Sequence, residues 1–287
     1  MEYKKGERVK HPAKDDWGLG EILEDSKNNE VRVFFVGAGE KKLSLKIIQL
    51  QKIENADAQH SMLDNLKISK SIKGTNYQSL PQSIQLFLER FPEGFYGENF
   101  NKHEREYKDK AHVLAQELLG KQSFAELLDN ENYPDIIKRA LKTVNSTNLI
   151  FPNEKMALKD GLKEPTNEKE FSHALFLLLH GESELEQRFT DFANILENIG
   201  AAKWTTLSYF LFITHPDKYM FIKPTITQFS AELCSFEINY KPQLNWLTYL
   251  SVLKFSEYLF SALSELKPRD MIDVQSFMWC IAPGTYD

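Results

Sequence analysis

Hydrophobic positions change their period near residue 52 of this 287-residue chain. Before that point they come in short runs, Gly6–His11, Leu19–Glu24, Glu30–Phe35 and Glu40–Leu45, and Asn28-Asn29 and Gly37-Ala38-Gly39 read as turns between them. Val31, Val33 and Phe35 alternate with Arg32 and Phe34, as in a strand with one buried face. Four or five such strands predict a small SH3-like or Tudor-like barrel over residues 1–52. Residues 53–80 are polar, with only a weak helical trace through Met62, Leu66 and Ile68, and Ser69–Gln78 reads as linker.

From Leu80 onward the spacing is helical. Pro81 suits a first helical position ahead of Ile84, Phe87, Leu88 and Phe91. Further helices are predicted at 103–119, 123–129, 133–144, 153–163, 168–180, 184–198, 203–214, 224–235, 243–265 and 270–281. Gly120, Gly181 and Gly200 stand where helices should end. The expected class is α+β as separate domains: a barrel at 1–52, a linker at 53–80 and an all-α domain at 81–287.

Charge refines this division. The chain carries 35 Lys+Arg and 41 Asp+Glu, a net −6. Residues 1–52 hold eleven basic and nine acidic side chains, so the barrel is +2 and the remainder −8. A general positive field for coating nucleic acid is thereby excluded, although a local basic surface is not. The two cysteines, Cys234 and Cys280, exclude a disulfide scaffold and a cysteine-rich zinc module, and they fit a reducing, cytoplasmic setting. No leader-like start and no apolar stretch of bilayer-spanning length occurs, so no membrane association is expected.

The blocks Gly6-Glu7-Arg8-Val9-Lys10-His11-Pro12, Asp16-Trp17-Gly18-Leu19-Gly20, Val31-Arg32-Val33-Phe34-Phe35 and Gly39-Glu40-Lys41-Lys42 occur in order. Over residues 3–50 they resemble the Tudor-like DUF3553 domain found at the C-terminus of UvrD/PcrA-type helicases. That resemblance implies contact with RNA polymerase, a helicase or nucleic acid. On the residues alone, Lys10 and Lys41 belong to two basic strips, and Trp17 at a Gly-flanked turn either stacks on a ligand or caps the core.

The stretch Phe192–Phe229 contains a Gly-centred turn, Ile199-Gly200-Ala201-Ala202, followed by a helix beginning near Lys203. Small residues there let amides and a helix N-terminus approach phosphate, with Lys203, Thr205 and Thr206 adding contacts. The order Gly200, Trp204-Thr205, Tyr209–Phe212, His215-Pro216-Asp217 and Phe221-Ile222-Lys223-Pro224 resembles the helix-hairpin-helix segment of the DNA glycosylase superfamily. The resemblance implies a base-excising enzyme acting on double-stranded DNA, but the family's catalytic aspartate is replaced here by Lys223. Lysine can serve instead as an amine nucleophile at the sugar C1′ if burial lowers its pKa. Alternatively the acid comes from Asp217, Asp270 or Asp273.

Asp270 and Asp273 share one face of the last predicted helix, near Gln275 and Ser276, and either line a polar pocket or serve as cap and ion-pair partner of Arg269. Asn148 and Phe151, in the loop before a helix that Asn153 could cap, are candidates for base contact in a glycosylase-like layout. His103, Arg105, Tyr107, Lys108 and His112 read as a solvated, charged helix start. No HExxH, CxxC, GxxxxGKS or GxGxxG pattern occurs, so neither a metal nor a cofactor is expected. The sequence thus points to a DNA glycosylase acting on an ordinary or modified base, in repair or antiviral defence. The alternative is a non-enzymatic adaptor.

Overall fold

The computed structural model describes residues 2–60, 63–65 and 80–286. The trace through Met62, Leu66 and Ile68 and the Ser69–Gln78 linker lie outside the described residues. The chain divides into two compact units. One comprises Met1–Pro92, Gln228–Ile238 and Cys280–Asp287, and the other Glu93–Thr227 and Asn239–Trp279.

The first unit contains five strands: β1 (Arg8–Lys10), β2 (Leu19–Ile22), β3 (Glu30–Phe35), β4 (Gly39–Ser44) and β5 (Gln51–Ile53). They form an antiparallel sheet in the order β4-β3-β2-β1-β5. The fifth strand lies in the polar stretch just before the expected linker. Its alternation is too short to read, and pairing with β1 defines it. Asn28 and Asn29 both take positive φ, as the tight turn ahead of β3 requires. Val9, Ile22, Val31, Val33, Phe35 and Leu50 close around Tyr3, whose hydroxyl donates to the Leu50 carbonyl at 2.9 Å. A buried phenol thus keeps its polar tip satisfied inside an apolar core.

Helices follow: α1 (Leu80–Arg90), α2 (Glu98–Phe100), α3 (Glu106–Leu119), α4 (Lys121–Asp129), α5 (Tyr133–Val144), α6 (Pro152–Gly161), α7 (Pro165–His180), α8 (Leu185–Asn198), α9 (Trp204–Thr214), α10 (Pro224–Leu233), α11 (Trp246–Ala262) and α12 (Met271–Cys280). Within the first unit, α1 is tied to the chain's end by Arg90, which donates to the Cys280 carbonyl at 2.7 Å and stacks over Tyr286.

In the second unit α9 is the central element. The run Leu207–Ile213 is apolar on nearly every side, and a helix of that kind finds its place only in the interior. Every residue from Trp204 to Thr214 is buried, with α3, α6, α7 and α8 packed around it. Two of its hydroxyls are paired: Ser208 donates to the Trp204 carbonyl at 2.6 Å, and the Tyr209 hydroxyl donates to the Thr143 carbonyl at 3.1 Å. By contrast α5 has one apolar face, Ile136, Ile137, Ala140 and Val144, and Asn132 caps its first turn.

Candidate functional site

A cleft of about 480 Å³ opens in the helical unit, lined on one side by His103, Glu104, Tyr107 and Lys108. The segment Ser146–Leu149, Lys223, Gln275 and Trp279 complete it. Three sequence-distant features converge here. The α5–α6 loop brings Asn148, the segment after α9 brings Lys223, and α12 brings Gln275 and Trp279.

Lys223 is held by its backbone neighbours. Met220, Phe221 and Ile222 are buried, and the Ile222 amide donates to Ser208 Oγ on the central helix at 2.9 Å. Proline at 224 then starts α10, so the lysine stands at a fixed junction between an anchored strand-like segment and a helix. Its Nζ lies 4.8 Å from the ring centroid of Phe151 and 4.8 Å from that of Trp279. The side chain is half-buried, and desolvation lowers its pKa from the ordinary lysine value, against a weaker opposing pull from Glu154. The ring faces offer the ammonium some compensation. Burial prevails, and a larger neutral fraction of the amine results.

Phe151, 53% exposed, caps α6 ahead of Pro152. Asn153 was expected to do so, but proline occupies the first helical position and shifts the cap back two residues. Glu154 in the first turn accepts the Phe151 amide at 3.2 Å and the Thr205 hydroxyl at 2.9 Å, tying α6 to the start of α9. Lys155 donates to the Thr147 carbonyl at 2.6 Å and so fixes the loop that carries Asn148.

The opposite wall departs from its expected solvated character. A turn of π-helix at Asn101–Arg105 leads into α3 and turns Glu104, Arg105 and Lys108 inward. Lys108 is 1% exposed and donates to Ser276 Oγ at 2.7 Å and to Glu104 at 3.3 Å. Arg105 donates to both Asp270 oxygens at 2.6 and 2.7 Å and to Asp273 at 3.1 Å. Burial works against its charge, but the two aspartates outweigh it and hold the pKa above the usual arginine value.

Asp273 is fully buried and also accepts from the Arg269 amide and guanidinium at 2.8–2.9 Å. Asp270 accepts the Ile272 amide at 2.9 Å. Neither aspartate lines the cleft, and both are saturated by arginine and backbone donors. Lys223, Asn148 and Phe151 are brought together, while Asp270 and Asp273 stand apart in the network beneath α12.

The hairpin takes a form that corrects part of the expectation. Gly200 has φ +72° at the end of α8, where its amide donates to the Glu197 carbonyl at 3.0 Å and that of Ala201 to Leu196 at 2.8 Å. Those amides are therefore spent on capping. The side chains of Trp204, Thr205 and Thr206 are interior, because the apolar helix they begin is central, and the Trp204 indole donates to the Lys241 carbonyl at 2.9 Å. Gly200 and Lys203 alone of this set stay exposed.

In the sheet unit, Trp17 packs half-buried against the core, 4.7 Å from His11 and 5.1 Å from Phe35. Lys41 Nζ lies 5.8 Å from its ring, and Lys10 is exposed on β1. Trp17 thus caps the core with one part of its ring and leaves the rest accessible beside a lysine.

Sequence reasoning missed Glu104, Tyr107 and Lys108 as cleft residues, although it set Gln275 beside a possible polar pocket. The available signal was the ionic pair Glu104 and Lys108 at i, i+4, which is indistinguishable in sequence from a solvated pair. Among the described residues there is no group of three or more His, Cys, Asp or Glu that could hold a metal, and no helix is long and apolar enough to cross a membrane.

Comparison with known proteins finds one family. Residues 3–53 match the family described as "Protein of unknown function (DUF3553)", which accounts for the sheet unit's strands and stops short of the helices. No curated protein and no solved structure matches the chain.

Proposed function

We propose that the helical unit is a DNA glycosylase that excises an ordinary or modified base, with the cleft as base pocket and Lys223 as nucleophile. One observation carries this reading: a half-buried amine of lowered pKa stands at a polar cleft that has aromatic rings at its edge. In the neutral form its lone pair attacks the sugar C1′. The C1′–N bond breaks with its electrons on the departing base, whose nitrogen takes up a proton. The amine gives up two protons in all, one accounting for that on the base and one going to O4′, which takes the electrons of the C1′–O4′ bond as the ring opens to an imine; water then adds to C1′, releasing the abasic site and the lysine. Asp270 and Asp273, saturated by arginines, belong to the scaffold in this account. Lys203 and the start of α9 anchor a phosphate. A base must leave the duplex to reach such a pocket, and Phe151 and Trp279 supply faces on which it stacks.

The sheet unit is the docking module of this proposal, presenting Trp17, Lys41 and Lys10 to DNA, RNA polymerase or a helicase. Incubation with DNA from several sources, phage DNA with modified bases included, followed by alkaline cleavage tests the enzyme reading. Strand breaks that disappear in Lys223→Ala are expected. Absence of breaks on every DNA, with duplex binding intact, overturns it and leaves an adaptor.

A further inference from the structure

Along the buried face of α12 the polar groups are matched in detail, with one exception. Asp273 is saturated by Arg105 and Arg269, and Ser276 donates to the Ile272 carbonyl while accepting from Lys108. Gln275 sits between them, 3% exposed, and its Oε1 has no hydrogen-bond partner. The other buried unpartnered atoms among the described residues, on Arg8, Ser83, Thr206, Thr214 and Ser235, do not line the cleft. The Gln275 side chain does.

Folded chains rarely leave a buried carbonyl oxygen unpaired, and one on a cavity-lining side chain is open to a donor on what enters. An acceptor at this place is not met by a phosphodiester, whose oxygens bring no donor. It selects a group carrying N–H or O–H. Trp279 on the next turn of α12 and Phe151 at the cleft's edge favour a flat ring over a sugar. The cleft's size falls within the range of small-molecule sites.

We infer that Gln275 is a specificity-determining residue: its amide oxygen accepts an unsubstituted N–H of a planar nucleobase, and bases methylated at that nitrogen are refused. The inference rests on the reading of the cleft as a base pocket and assigns the edge that the pocket reads. A site built to accept an N–H rejects the analogue lacking it far more strongly than an apolar pocket rejects an extra methyl, because a buried oxygen then stays unpaired.

The test uses the full-length protein and free nucleobases bearing a methyl group at the sugar-carrying nitrogen, titrated by calorimetry. Each is compared with its counterpart methylated at the remaining N–H positions. At least one unsubstituted base should bind saturably, and its methylated counterpart should bind at least tenfold more weakly. Gln275→Met, of equal length and without the amide, should lose about tenfold for the unsubstituted base and should no longer separate the pair. Equal binding of both forms to the wild type overturns the inference without recourse to any variant, and so does absence of binding by every base. A Gln275→Met protein that still discriminates also overturns it. Failure here is distinct from failure of the enzyme reading. A protein that makes abasic sites yet binds both forms alike refutes the role of Gln275 alone. One that discriminates between free bases yet releases none from DNA refutes the glycosylase and leaves a base-binding cleft.

Discussion

At the scale of single residues, Lys223 and the two aspartates differ in the way the proposed mechanism requires. Lys223 is half-buried, so its folded pKa falls below its value in an unfolded chain, near 10.5. The neutral, nucleophilic form therefore becomes populated at lower pH than for a surface lysine. Trapping of a lysine–DNA imine by borohydride should rise with pH and reach half its maximum below 10.5. A midpoint at or above that value would show that burial does not act on this amine. Asp273 has the opposite character, a fully buried carboxylate bound by two arginines. Asp273→Asn leaves those guanidiniums under-compensated and should cost about 3–5 kcal/mol of stability, read from urea unfolding. A variant as stable as wild type but inactive would return Asp273 to the list of catalytic groups. The alternative reading of these acids, Asp270 as a cap and Asp273 as the partner of Arg269, was legible in the sequence and is the arrangement found. Arg105 as their common partner was not, because it lies 165 residues away from Asp270 and the π-helical turn that points it inward leaves no periodic trace.

Among the elements, strong periodicity was readable and short or tertiary-defined features were not. Helix α5 has its expected bounds because a clean apolar stripe and an Asn cap coincide there. Strand β5 owes its existence to the partner β1, and the burial of α9's threonines follows from the packing around them rather than from their own polarity. The contact between α6 and the α8–α9 hairpin is another tertiary feature. A Cβ on Gly161 would lie 2.2 Å from the Ile199 carbonyl oxygen, so a side chain there must push the hairpin away. Gly161→Ala should destabilise the helical unit by about 1–3 kcal/mol. It should also weaken duplex binding more than a distant surface Gly→Ala change does. Gly200→Ala meets no neighbour and carries only the penalty of a left-handed residue, about 1–2 kcal/mol. A Gly161→Ala protein with wild-type melting and binding would refute this support.

At the scale of the molecule, a net charge of −6 requires the proposed DNA contact to be local, and the two units carry different halves of the proposal. The sheet was legible because several motif blocks in order define it, and the family match ends with its last strand. Both cysteines are buried, and desolvation pushes the Cys234 thiol up to about 12. With its folded pKa raised, the thiolate is scarce at neutral and mildly alkaline pH. A thiol-specific chromogenic reagent at pH 8 should therefore find neither cysteine in the native protein and both in urea; rapid native labelling would contradict the packing around them. The central claim is that Lys223 attacks the sugar. Its most direct test is to treat the full-length protein and modified-base DNA with borohydride and map the cross-linked peptide by mass spectrometry. The account predicts a covalent adduct on Lys223, absent in Lys223→Ala and retained in an Asp270→Asn protein that folds. An adduct on another residue, or base release without any trapped adduct, would contradict it.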